Sequence, residues 1–375
     1  MKAMTTLVLI LFAASSALSL IITGVLVKVG RKAGTLDTTG VEGHEKELRQ
    51  VPNIGGVAIW ATLVLPLTAG LVALQLTPDT ITSLVPALAP WKEQVVQSTP
   101  LATAFLICLT VLHVVGLVDD RNPLGVLPKT VIQLICAIVL VIWFNVRLLE
   151  VLDVWLGTGS LVSIVCTVIW IMVLTNAMNY LDNMDGVTAG ITIVSGGLFM
   201  VAALLGSQWF VAAMLALLVG GNIGFFWWNK PKAKIFMGDG GSLVIGFALA
   251  VLVTRVTWFD PDAATGIGTA WYGVLMPLFV LALPLYDFFT VTSLRILQGK
   301  SPFKGDQQHF SHRLAARGLG NTGTLVVLFA ISGVTGIAGL FLGRSDATGA
   351  ILLTLLVCLA LLVVAFFDYT GRKHV

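Results

Sequence analysis

Eleven stretches of roughly 20 apolar residues, nearly free of internal charge, follow one another along this chain. In lipid, every backbone N–H and C=O must find its partner inside the protein, so only helices and closed barrels cross a bilayer. Barrel strands would alternate polar and apolar positions in short segments, and these runs do not. The expected fold is therefore all-α, a polytopic integral membrane protein with about eleven transmembrane helices. The spans are placed near 5–27, 53–76, 100–118, 128–146, 160–177, 187–206, 208–228, 241–257, 271–293, 322–342 and 348–368. Only 11% of the 375 residues are charged, against about 25% in a soluble domain. The first run is too long for a signal-peptide core and shows no clear cleavage pattern, so it is counted as a span. Cys108, Cys136, Cys166 and Cys358 all lie in apolar runs without metal spacing and are read as small buried hydrophobes.

No stretch between spans is long enough for a soluble domain. Residues 1–375 are expected to form one transmembrane helical domain with functional loops at 28–52, 119–128, 178–186, 229–240 and 294–321. The last of these is longer than a plain connection needs. Seventeen of the 22 Lys and Arg fall in loops after odd-numbered spans or at the C-terminus. By the positive-inside rule, the N-terminus then lies outside and the C-terminus in the cytoplasm, with the inner (cytoplasmic) membrane as the location.

That orientation puts the acidic motifs on one face. Asp119 and Asp120 end the third span; Asn179, Asp182, Asn183 and Asp185 follow the fifth; Asp239 opens the eighth. Asp306, His309 and His312 lie in the loop after the ninth. Asp costs roughly 2.5–3.5 kcal/mol at a helix centre, so such clusters belong at a surface or wet cavity. Their one-sidedness points to a single composite site at the inner surface.

Asp, Asn and Gly in this density suit a hard cation and phosphate oxygens, as for magnesium held by one or two carboxylates plus substrate phosphates. Asp239 sits among Gly238, Gly240 and Gly241, and the free N–H groups of the following helix favour an anion. Taken alone, Asp239 reads as a helix N-cap with glycines for a tight turn; beside the two other carboxylate clusters the ligand-binding reading prevails. Lys129 is either a snorkelling lysine or a phosphate clamp. On a helix His309 and His312 would share a face, a spacing that fits a metal pair. Beside an otherwise all-oxygen site these softer ligands point to phosphate or nucleotide, the alternative being solvated loop residues. Asp287, about 9 Å deep in the ninth span, is expected to support the site from behind, with Pro284 kinking the helix.

These segments resemble the polyprenyl-phosphate N-acetylhexosamine-1-phosphate transferase family. The matching stretches are GLVDDRNPLG (116–125) with Lys129 and Gln133, TNAMNYLDNMDGVTAG (175–190), FMGDGGSLVIGF (236–247) and SPFKGDQQHFSHRL (301–314). The resemblance implies transfer of a sugar 1-phosphate from a UDP-N-acetylhexosamine, commonly UDP-N-acetylglucosamine, to undecaprenyl (polyprenyl) phosphate, with release of UMP. It implies Mg²⁺, or Mn²⁺ in its place. Asp119 and Asp120 would be the aspartate pair near the lipid phosphate and nucleotide, with one of them available as a base. Asn179 and Asp239 would form the metal and diphosphate site, and Lys129 would contact the diphosphate. Asp182 and Asp185 would support the uridine or the metal, and His309, His312 and Arg313 would touch the diphosphate or nucleotide. Ser311 stands where many relatives carry a third His, which favours a simple UDP-sugar over UDP-MurNAc-pentapeptide, the substrate of lipid I synthesis.

Two other classes compete. A cation-coupled transporter would carry charge near span midpoints and on both faces, and the two halves of this chain show no convincing repeat. A nonenzymatic scaffold would leave the clustered Asp unexplained. The bilayer and the two substrates are the partners expected; a homodimer is compatible with the sequence, and no nucleic acid is called for.

Overall fold

The computed structural model describes residues 2–33, 51–256, 271–301 and 308–371. Ten helices among them are long and apolar enough to cross a membrane, and a bent pair makes an eleventh span. We number them α1 (Lys2–Ala33), α2 (Gly56–Leu76), α3 (Lys92–Asp119), α4 (Val126–Ile138, prolonged by a wide turn to Trp143), α5 (Leu161–Leu181) and α6 (Val187–Leu205). There follow α7 (Trp209–Asn229), α8 (Asp239–Val256), α9 (Ala282–Leu297), α10 (Gly320–Leu342) and α11 (Ala347–Gly371). All eleven expected spans are present. The helices overrun several expected edges: α3 begins at Lys92 and α5 runs to Leu181, so Asn179 lies in a last helical turn rather than in a loop. Most of the expected loop 28–52, with residues 34–50, and Asp306 lie outside the described residues.

The helix α8 forms the axis of the bundle, packed by α2, α3, α5, α6 and α7. Every residue from Gly240 to Thr254 is buried. Its neighbours approach the N-terminal backbone this closely only because they carry no side chain there. A Cβ on Gly116 of α3 would strike the Asp239–Gly240 backbone, and one on Gly56 of α2 would strike Gly241. Gly56 N also donates to Met237 O at 2.9 Å, fixing the strand-like approach to α8.

The outer seam between α1 and α7 is built from small residues, as membrane interfaces without a hydrophobic driving force require. Ser15 Oγ donates to Leu217 O at 2.7 Å and Ser19 Oγ to Gly221 O at 2.6 Å. Both partners advance together along the chain, so the two helices run parallel and end on the same face.

The expected kink in the ninth span is present. Tyr272–Val280 and Ala282–Leu297 meet at 67°. Proline lacks the N–H that would bond the carbonyl four residues back. For Pro284 that carbonyl is Val280 O, and Ser195 Oγ of α6 takes it at 3.1 Å.

Candidate active site

The ends of α3 and α5 and the starts of α4 and α8 meet at one end of the bundle. Lys129 Nζ bridges two carboxylates there, at 2.7 Å from Asp119 Oδ2 and 2.9 Å from Asp239 Oδ2. Asp119 Oδ1 accepts from Leu124 N at 2.8 Å, which folds the α3–α4 turn back and brings Lys129 into reach. On the far side, Asn179 Nδ2 donates to Asp239 Oδ1 (3.0 Å) and Ser242 Oγ (2.9 Å). One turn deeper, Asn176 Nδ2 bonds Gln133 Oε1 at 2.8 Å, locking α4 and α5 in register so that Lys129 and Asn179 face the same carboxylate.

Asp120 and Asp239 divide the work at the α8 N-terminus in an unexpected way. Asp239 does not cap its own helix. Asp120 does so from α3: its Oδ1 accepts from Asp239 N at 3.0 Å and its Oδ2 from Gly240 N at 3.3 Å. The helix N-terminus expected to bind a ligand anion therefore already holds a carboxylate of the chain itself. Burial, and then the charge of Asp239, push the Asp120 carboxyl up to about 7, against the two amide bonds that favour its ionised form. The charge of Asp182 adds to the upward push.

The Asp182–Asp185 segment contains both a site-edge group and a brace. Asp182 closes α5, with its N–H on Asn179 O at 3.2 Å. Asp185 is buried and accepts from Ala233 N at 3.1 Å. Asn229 completes that brace, accepting from Gly186 N and donating to Ile235 O.

Tyr180 carries the end of α5 to a second polar group. Its ring meets His309 edge-on at 5.8 Å, and the Arg295 guanidinium lies 5.2 Å from its centre. His309 Nδ1 is 2.8 Å from Asp287 Oδ2, and Phe310 N donates to Asp287 Oδ1 at 2.7 Å. Asp287 thus fixes both the ring and the start of its helix, Phe310–Leu314, the supporting place expected for it. Ser311 Oγ donates to Asn183 Oδ1 at 2.6 Å. The His312 ring lies 6.4 Å from that of His309. Arg313 forms a fork with buried Asp368 near the end of α11, and Tyr286 Oη donates to the same carboxylate.

Asp119, Lys129, Asn179 and Asp239 are thus brought into contact, with Asp120 behind them. Asp185 and Arg313 are engaged with other partners. Asn53, His113, Asn229 and Asp368 carried no motif signal, whereas Asn176 lies in the matching stretch 175–190 without an expected role. Asn53 Nδ2 donates to Asp120 Oδ1 at 3.2 Å, and its buried Oδ1 has no hydrogen-bond partner among the described residues. A polar residue beside Gly55–Gly56 at a span's start was the available clue.

The bundle carries a carboxylate–amine–amide centre at one end, and its similarity to known proteins gives the class, a membrane-embedded phosphoglycosyl transferase. Residues 102–257 match Glycosyl transferase family 4, and the chain belongs to that family. It is 27% identical to a Bacillus subtilis protein named "Probable undecaprenyl-phosphate N-acetylglucosaminyl 1-phosphate transferase", covering 89% of this chain and 85% of the relative. Over 67% of each chain it is 30% identical to the "Decaprenyl-phosphate N-acetylglucosaminephosphotransferase" of Mycobacterium leprae. An Escherichia coli O157:H7 "Undecaprenyl-phosphate alpha-N-acetylglucosaminyl 1-phosphate transferase" is 25% identical, over 80% of this chain and 74% of the relative.

Proposed function

We propose that this enzyme moves N-acetylglucosamine 1-phosphate from UDP-N-acetylglucosamine to a polyprenyl phosphate with Mg²⁺ bound, releasing UMP at the cytoplasmic face of the inner membrane. The observation that carries the reading is Lys129 held between Asp119 and Asp239 with Asn179 alongside. The relatives named above act on these lipid and sugar groups, and the 17-to-5 split of Lys and Arg supports the orientation, N-terminus outside.

The residues suit a hard cation. Among the described residues no three His, Cys, Asp or Glu side chains form a ready metal cage, and magnesium needs none, since it retains waters and takes substrate phosphates. Asp239 and Asn179 would hold it, Asn179 through Oδ1 because Nδ2 is committed to Asp239 and Ser242. A Cβ on Gly238 would fall against Asp120 Oδ2 and Asn53 Oδ1, so two further oxygens converge where glycine leaves room. Bound there, the ion supplies Lewis-acid neutralisation of the diphosphate.

The chain's own groups then have defined tasks. Lys129 exchanges a carboxylate for a diphosphate oxygen and steadies its charge. The polyprenyl phosphate is largely dianionic near neutral pH, its second pKa being about 6. One of its oxygens bonds to the sugar-bearing phosphorus as the bond from that phosphorus to the UMP oxygen breaks. Asp119, freed from Lys129, accepts any proton left on the lipid phosphate. Purified protein with undecaprenyl phosphate and a panel of UDP-sugars is the test. UMP release with UDP-N-acetylglucosamine, stopped by EDTA and restored by Mg²⁺ or Mn²⁺, is expected; no release with any UDP-sugar would overturn the reading.

A further inference from the structure

We propose that His113 is a positioning residue for Asp239, acting through the carbonyl of the next residue, Gly240, in the Gly240–Gly241 peptide; the inference rests on the reading that Asp239 works at the reaction centre. His113 lies on α3, buried, six residues before Asp119. Its Nδ1 is 2.7 Å from Gly240 O. A carbonyl oxygen only accepts, so Nδ1 carries the hydrogen. A carbonyl in the first turn of a helix already serves an amide one turn on. The bond to His113 is therefore a second one, which the backbone does not need for its own satisfaction.

The ring is held where it must be to make that bond. It stacks on Trp60 of α2, with centroids 5.2 Å apart and planes 8° from parallel. Trp60 Nε1 in turn bonds Thr110 Oγ1 at 3.2 Å, one turn along α3 from His113. With the two carboxylate bonds from Asp120, α3 grips two successive residues of α8 at three backbone atoms. The Asp239 carboxylate must meet Lys129 and Asn179 together, and the first turn of a helix is its softest part. A displacement of about 1 Å at a reacting group costs on the order of 100-fold. A ring that fixes Gly240 O removes the tilt that would produce it.

Two variants separate this role from plain core packing. His113→Phe keeps a ring for Trp60 and loses the donor. His113→Asn gives up the ring and offers an amide N–H close to where Nδ1 stands. Two readouts are taken on the purified full chain: hydrogen exchange of residues 237–243, and kcat with the half-saturating Mg²⁺ concentration. The Phe variant is expected to exchange faster in that segment. Its kcat should fall about 10-fold or more, with a raised Mg²⁺ requirement and KM for the UDP-sugar within about threefold. Asn should restore the exchange rate and most of kcat. Wild-type exchange and kcat in the Phe variant, or an Asn variant as impaired as Phe, would overturn the proposal. Should the wild type release no UMP, the functional reading falls, while the exchange contrast alone still decides whether His113 holds the peptide.

Discussion

Two polar regions flank Tyr180, and they are built on opposite plans. In the Asp119–Lys129–Asp239 cluster, side chains keep 13–25% of their exposure, and one flexible ammonium is shared by two carboxylates. In the Asp287–His309 and Arg313–Asp368 pairs, the carboxylates are 2% and 0% exposed. Both oxygens of each are taken by rigid partners: an imidazole and an amide, or a guanidinium fork. Ion pairs open to solvent exchange partners at little cost, whereas uncovering half of a buried pair costs several kcal/mol. The first region can trade a bond for a ligand. The second keeps a shape.

The comparison is broken most sharply at Asp239. Asp239→Asn should lower turnover by 1,000-fold or more while the purified protein keeps its thermal midpoint, because the position serves ligands rather than stability. A normal rate with a well-folded variant would remove the exchangeable region from the mechanism. Lys129→Met comes next. Asp119 and Asp239 then face each other without a counter-charge, and kcat should fall about 100-fold, with a larger Mg²⁺ demand in a metal titration.

Asp287→Asn tests the rigid region. It leaves His309 without its anionic partner, so kcat should drop about 10-fold with a loss of several degrees in the melting midpoint; a kinetic loss without a stability loss would place Asp287 in the other class. Asp120 gives a pH signature of its own. Its folded pKa is raised to about 7 from an ordinary 3.8, so the folded chain binds the extra proton and stability falls as pH rises between those values. The slope is at most about 1.4 kcal/mol per pH unit. Melting curves in chelator from pH 4.5 to 7.5 should show it, and Asp120→Asn should flatten it. The smallest effect belongs to exposed Lys300, where Ala should change UDP-sugar kinetics less than about twofold and the change should fade by 0.5 M salt.

The spans were legible because bilayer thickness and backbone satisfaction leave so few solutions. Pro284 announced its kink for the same reason, since a missing N–H has a fixed address. Asp119, Lys129, Asn179 and Asp239 could be grouped because charge in a membrane chain is scarce and crowded on one face. Their division of labour was not legible. That Asp120, and not Asp239, caps α8 depends on how closely Gly116 lets α3 approach, which is a tertiary fact. His113 left no trace, and Asn53 only its place beside Gly55–Gly56, since a lone polar residue near a span end reads as an interfacial one. Arg313 looked like a cation for phosphate because Asp368, its partner, lies 55 positions further on.

The α1–α7 seam has a consequence for biogenesis. Its two hydroxyl bonds join residues 202 positions apart, so α1 enters the membrane long before its partner has been synthesised. At 5–20 residues per second, the wait is roughly 10–40 s. During it, Ser15 and Ser19 must turn to carbonyls of their own helix, as Ser16 still does with Phe12 O at 2.8 Å. The nascent bundle is thus open along one flank until the ribosome has passed α7, and closure of that flank is a late event in assembly.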